Sequence, residues 1–190
     1  TSPAANHIFE VNDACEKLNE QKRELLHKIV AKILYTSTRG RPDLHLAISF
    51  LTSRVSKADT DDWSKLVRLL TYIKCTIDLT LTLSADNLNI VKWWVDAAFG
   101  VHPDFKSHTG SVMSMGTGAM QALSRKQKLN SRSSTEAELI AVDDAVTMIL
   151  WTRLFLEWQG YAVKENIVCQ DNQSVILLEK NGKKSSSKRT

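Results

Sequence analysis

The sequence predicts an α/β chain: a mixed sheet with helices packed on it, preceded by a small helical segment. Three observations carry this. Between residues 18 and 73 apolar side chains recur at three- and four-residue spacing, the period of amphipathic helices. The alternation Leu79-Thr80-Leu81-Thr82-Leu83 then changes to the two-residue period of a strand. Beyond the turn cluster Ser84-Ala85-Asp86-Asn87, short apolar runs precede one long helical run, another short run and a final helix start. Strands first, then helix, strand and helix, is the order of a mixed sheet covered by helices. The boundary is placed after Asp86, giving segments 1–86 and 87–190.

In the first segment Leu18, Lys22, Leu25, Leu26, Ile29, Val30 and Ile33 define one helix face. Arg39-Gly40-Arg41-Pro42 breaks it, because proline cannot continue a helical ladder. Asp43 is expected to cap a second helix that buries Leu44, Ala47, Ile48 and Leu51. Asp59-Thr60-Asp61-Asp62 is expected to open a third, with Trp63, Leu66, Val67, Leu70 and Ile73 facing inward. Three such helices with short connections form a small bundle. In the second segment, strands are expected at residues 90–99, 109–115, 121–124 and 167–169. His102-Pro103-Asp104 reads as a turn, and a long helix over 134–158 ends at Gly160. A further helix starts at Ser174, and the Lys- and Ser-rich run 183–190 is low in complexity.

Composition narrows the class without choosing a function. With 43% hydrophobic and 24% charged residues the chain is globular, not disordered. Its net charge of +4 suits a polyanion-binding surface but does not select one. Cys15, Cys75 and Cys169 lie far apart with no CxxC pair, which argues against a structural zinc site or a disulfide framework and for reduced, packed thiols. No apolar run reaches membrane-spanning length, and the start lacks a signal-peptide pattern. The chain has no initiating Met and stops inside a basic run, so it reads as a piece of something longer.

Three carboxylates stand out. Asp96 interrupts Trp93-Trp94-Val95-Asp96-Ala97-Ala98-Phe99, with Trp94 and Ala98 on its own face; it is either a solvent-facing strand residue or a carboxylate whose burial is costly unless a cation or hydrogen bonds compensate. Asp171 ends Ile167-Val168-Cys169-Gln170, and is either an N-cap for the next helix, a ligand, or both. Glu136 and Glu138 compete for one role, since Ser133-x-x-Glu136 and Thr135-x-x-Glu138 are both capping boxes. Glu138 shares a stripe with Val142, Ala145 and Ile149 and therefore faces the sheet, while Glu136 projects roughly 160° away. Carboxylates on three separate elements could converge on Mg²⁺, which takes a few such oxygens plus water and phosphate. Asp143 and Asp144 read as a solvated helix face, His108 as a polar strand residue, and the five tryptophans as mostly core. Arg125, Lys126, Lys128 and Arg132 form a basic loop before the long helix, either solvated or in contact with phosphates.

The strings Val95-Asp96-Ala97, Ser107-His108-Thr109-Gly110, Lys126-Gln127-Lys128, Ser133-Ser134-Thr135-Glu136-Ala137-Glu138 and Asp171-Asn172-Gln173-Ser174 occur in that order. Together they resemble the ribonuclease H domain of Ty1/copia-type retrotransposon Pol polyproteins, over roughly residues 88 to 190. Ala31-Lys32-Ile33-Leu34-Tyr35, Arg41-Pro42-Asp43-Leu44 and Leu66-Val67-Arg68-Leu69-Leu70-Thr71-Tyr72-Ile73 resemble the thumb and connection helices that end the reverse transcriptase of the same polyproteins. The polymerase aspartate pair is absent, and Asp61-Asp62 reads as a helix cap.

The resemblance implies a ribonuclease H-like fold and two-metal hydrolysis of the RNA strand of RNA–DNA hybrids during reverse transcription. Asp96, Glu138 and Asp171 would hold Mg²⁺, with Mn²⁺ able to substitute, and Arg125, Lys126, Lys128 and Arg132 would meet nucleic acid. It implies the remainder of the Pol polyprotein as partner, no membrane partner, and an intracellular setting in cytoplasmic virus-like particles with a nuclear stage open to them. The family has a fourth acidic ligand in the helix after the basic stretch. The chain ends at Thr190 before any such residue, so residues 1–190 are expected to cleave weakly or not at all. Two rivals remain: an integrase-type strand transferase, for which Glu179 is the candidate third acid, and a non-catalytic nucleic-acid clamp.

Overall fold

Side-chain caps and apolar stripes set the helices of the first half of the chain. In a computed structural model, which describes residues 2–182, α1 (Glu20–Arg39) begins where the Asn19 side chain accepts the Lys22 amide at 2.9 Å. It buries Leu26, Val30 and Ile33, whereas Leu25 is exposed. α2 (His45–Arg54) buries Ala47, Ile48, Phe50 and Leu51, and α3 (Thr60–Cys75) buries Leu66 and Leu69. With Ile8, Leu18, Leu44 and Ala58 these residues form one core.

Two expectations fail here. Asp43 does not cap α2: Pro42 starts a tight helical turn over Pro42–Leu44, and Asp43 instead accepts from Arg41 Nη2 at 2.8 Å. The inward stripe of α3 runs through Leu66 and Leu69, leaving Val67 and Leu70 exposed. Asp59 and Asp62 form a reciprocal capping box at the start of α3, which satisfies first-turn amides that have no intrahelical partner.

The chain divides into two compact units after Thr82 rather than after Asp86. The reason is a two-residue strand: β1 (Ser84–Ala85) pairs antiparallel with β4 (Gly116–Thr117). The approach is close enough that a Cβ at Gly116 would lie 2.6 Å from the Ser84 carbonyl oxygen, so only glycine fits there. The expected strand over 79–83 does not form, and Leu79 and Leu83 are exposed. An alternating pattern needs a ladder partner, and only residues 84–85 of this stretch have one among the described residues.

The second unit is a four-stranded mixed sheet in the order β5-β3-β2-β6. β2 (Ile90–Ala98), β3 (His108–Ser114) and β5 (Gln121–Lys126) are antiparallel neighbours. α4 (Ser134–Trp158) then leads to β6 (Glu165–Cys169), which pairs parallel with β2. α5 (Gln173–Asn181) follows. This is a ribonuclease H-like mixed α/β arrangement, as the sequence led us to expect. Val91, Trp93 and Val95 of β2 pack with Ala141, Val142, Ala145 and Ile149 of α4, so the odd-numbered face of β2 is the covered one.

Of the tryptophans, Trp93 is buried, but Trp94 and Trp151 are exposed and Trp158 is 90% exposed. The three cysteines are free thiols, and Cys75 is exposed rather than packed. No helix among the described residues is long and apolar enough to cross a membrane. The Lys- and Ser-rich stretch 183–190, expected to be low-complexity tail, lies outside the described residues.

Candidate metal centre

Strand register brings two of the acids side by side. β6 runs parallel to β2 with Cys169 opposite Trp94, so two further steps along each strand put Asp171 level with Asp96. The third acid arrives from α4. Ser133 caps that helix by accepting the Glu136 amide at 3.2 Å. Its first turn is then pinned to the sheet through Gln127. This buried amide donates to the Ala137 carbonyl at 2.9 Å and to Thr109 Oγ1 at 3.1 Å. Glu138 therefore reaches the sheet from a fixed helix end, 7% exposed. One carboxylate oxygen from each of Asp96, Glu138 and Asp171 lies within 4.8 Å of the others.

The electrostatics of the group are those of a trap for a cation. Burial pushes the Glu138 carboxyl above the usual range, and the neighbouring Asp96 adds to the shift. Hydrogen bonds from the Gln170 amide and the Ala97 N–H work against it. An all-oxygen donor set of carboxylates suits a hard cation such as Mg²⁺ or Mn²⁺ and not zinc, which favours nitrogen and sulfur.

Asp96 is exposed, on the face of β2 that also carries exposed Trp94 and Ala98, so it is not a buried carboxylate demanding compensation. Asp171 is not the cap of α5. That role falls to Asn172, whose side chain accepts the Ser174 and Val175 amides at 3.0 and 3.3 Å. Glu136 accepts the Arg132 amide at 2.7 Å and so serves the helix end.

The basic residues divide. Lys126 pairs with Asp104 at 2.7 Å, and Arg125 pairs with Asp144. Lys128 and Arg132 are exposed on the loop that leads into α4. Asp144 is thus not a solvated face residue: it also accepts from Thr109 Oγ1 at 2.8 Å. His108 is buried, with His102 at 3.0 Å on one nitrogen and Ser124 Oγ at 2.7 Å on the other. Burial, helped by Lys126, lowers the His102 pKa to about 4, so at neutral pH His102 is an uncharged structural partner of His108. The residue that sequence reasoning missed is Gln170, which donates to Glu138 Oε2 at 3.1 Å. A neutral amide between Cys169 and Asp171 carries no periodic or charge signal.

The two glutamates predict opposite phenotypes. Glu136→Gln should cost up to about 1 kcal/mol by weakening the helix end and leave cation binding unchanged. Glu138→Gln should stabilise the metal-free protein at neutral pH. A carboxyl whose folded-state pKa is raised is most stabilising below its unfolded pKa, and that stability is lost as pH rises through the folded value. The gain from Glu138→Gln should therefore fade as pH falls below the ordinary Glu range. Urea titrations at pH 7 and pH 4 check both signs.

No family model matches the chain, and no solved structure matches it. Among curated proteins, it is 28% identical over 186 residues to the Retrovirus-related Pol polyprotein from transposon TNT 1-94 of Nicotiana tabacum. That match covers 95% of this chain and 14% of the tobacco protein. It is 32% identical over 112 residues to the Retrovirus-related Pol polyprotein from transposon RE2 of Arabidopsis thaliana, covering 58% of this chain and 8% of that one. It is also 28% identical over 123 residues to Secreted RxLR effector protein 161 of Plasmopara viticola, 64% of this chain and 87% of that protein. The chain therefore spans a small part of the two Pol relatives, and the tobacco match runs across both structural units. By these relationships the chain is a homologue of a segment of copia-type retrotransposon Pol polyproteins.

Proposed function

We propose that the second unit is the ribonuclease H domain of such a polyprotein, hydrolysing the RNA strand of RNA–DNA hybrids, and that the helical unit is the end of its reverse transcriptase. The observation that carries this reading is the meeting of Asp96, Glu138 and Asp171 within 4.8 Å, from a strand, a helix and the turn after a parallel strand. These residues fit Mg²⁺ or Mn²⁺, which when bound supplies charge stabilisation at the phosphate and activation of water. The carboxylates bind and orient; none of them has to move a proton. Glu138 anchors the site from the buried side, and exposed Asp96 leaves it open to a large substrate. Lys128 and Arg132 offer cations to the phosphate backbone, with Arg125 and Lys126 shaping the same stretch through their ion pairs. Such contacts read the hybrid by shape and backbone rather than by base sequence.

The strand-transferase alternative assigns the third acid to Glu179. Among the described residues the cluster takes Asp171 instead and excludes Glu179, which favours the nuclease.

A labelled RNA–DNA hybrid tests the reading. Residues 1–190 should bind it with strong salt dependence and cleave only its RNA strand, slowly and only with Mg²⁺ or Mn²⁺. Joined to the Pol residues that follow the matched segment in the tobacco relative, they should cleave faster with little change in affinity. Strand joining would favour the transferase, and binding with no cleavage by either form would reduce the protein to a clamp.

A further inference from the structure

Gln170 touches every element that carries an acid of the cluster. Its Nε2 donates to Glu138 Oε2 on α4 at 3.1 Å and reaches the Val95 carbonyl, next to Asp96 on β2, at 3.5 Å. Its Oε1 accepts the Asn172 amide at 3.0 Å, which holds the turn bearing Asp171. Asn172 in turn caps α5. The amide has one sensible orientation, because a flip would set its oxygen against a carboxylate and a carbonyl.

We propose that Gln170 is the positioning residue of the cation site: it holds Glu138 so that its carboxylate stays turned toward Asp96 and Asp171. This rests on the metal-site reading above. The physical need is clear from the surroundings. Glu138 is buried and next to a like charge, so without an aimed donor its side chain gains by rotating away. Its donor must itself be fixed, and Gln170 is held at its own oxygen by the backbone of residue 172. The donor must also be neutral. A lysine or arginine would put a cation where the metal belongs, and a glutamate would repel Glu138. Glutamine satisfies both conditions, with one N–H to spare for Val95.

Titration with Mn²⁺ alone, read by the electron paramagnetic resonance of the free ion, tests this without a nuclease assay. Gln170→Met keeps length and removes the donor, and should weaken Mn²⁺ binding by about 10-fold or more, the usual effect of losing a group that orients a ligand. In a Glu138→Gln background the same change should alter affinity by less than about two-fold, because the two residues act as one unit. If Asp96→Asn weakens binding and Gln170→Met does not, the inference falls and the metal site stands. If Gln170→Met weakens binding equally in both backgrounds, Gln170 acts on the fold and not through Glu138, and the inference falls. If neither wild type nor Asp96→Asn shows specific binding, the metal-site reading falls and takes the inference with it. Should Gln170→Met fail to fold, Gln170→Asn, polar but one carbon too short to span both contacts, reads the same loss.

Discussion

Hybrid cleavage by Asp96→Asn should drop about 10³-fold, below detection for residues 1–190, while the fold is unchanged. The substitution removes a negative ligand and preserves shape. The charge stabilisation lost at the phosphate amounts to several kcal/mol, and about 4 kcal/mol corresponds to that factor. Stability should hardly move, because Asp96 is exposed and shares its face with exposed Trp94. A circular dichroism melt beside a single-turnover cleavage assay separates the two effects. Cleavage undiminished in the variant would remove Asp96 from the site.

The largest stability effect is expected in the helical unit, at Arg54. This buried guanidinium donates through Nε to Asp62 at 3.0 Å and through Nη2 to Asp59 at 2.7 Å. Both aspartates are 1% exposed. They also hold the start of α3, where Asp59 Oδ1 accepts the Asp61 and Asp62 amides and Asp62 Oδ2 accepts the Asp59 amide. Burial pushes the Asp62 carboxyl up in spite of the Arg54 charge. Arg54→Met would leave Asp59 to the exposed Lys17 at 3.5 Å and strip buried Asp62 of its cation beside a like charge, and should cost about 3–5 kcal/mol, the usual effect of breaking a buried pair from one side. The sign of the pH dependence follows: Asp62, raised further in the variant, can be protonated, so the deficit should narrow as pH falls toward the ordinary carboxylate range. Urea unfolding followed by hydrogen exchange in α3 checks both. A loss below about 1 kcal/mol would show that the cluster is solvated in solution.

Where local chemistry decides structure, the sequence was legible. Asp59 through Asp62 announce a helix start and supply one, closed by a capping box between Asp59 and Asp62; the run from Ser134 to Trp158 is one helix, released at Gly160 with φ +87°. Legibility failed where a distant partner decides. Residues 79–83 alternate like a strand, but alternation supplies no neighbour to pair with. Asp43 was available as a cap until Arg41, which also reaches Thr76 Oγ1 at 2.7 Å, took its carboxylate. The alternation in β2 identified two faces but could not say which one α4 would cover, and so it left open whether Asp96 meets solvent or apolar neighbours. Asp144 looked like one of two solvated acids until β3 and β5 presented Thr109 and Arg125 to it. The cluster itself was legible as three acids in order. The amide that ties it together was not, because Gln170 acquires its role only when β6 lands beside β2.

A crystal grown in Mn²⁺, with diffraction measured at the manganese absorption edge, is the most direct test of the claim that these three carboxylates form a cation site. An anomalous peak is expected about 2.1 Å from one oxygen each of Asp96, Glu138 and Asp171, absent in crystals of Asp96→Asn. Manganese bound only elsewhere, for instance at Asp143, or no peak at saturating Mn²⁺, would contradict it.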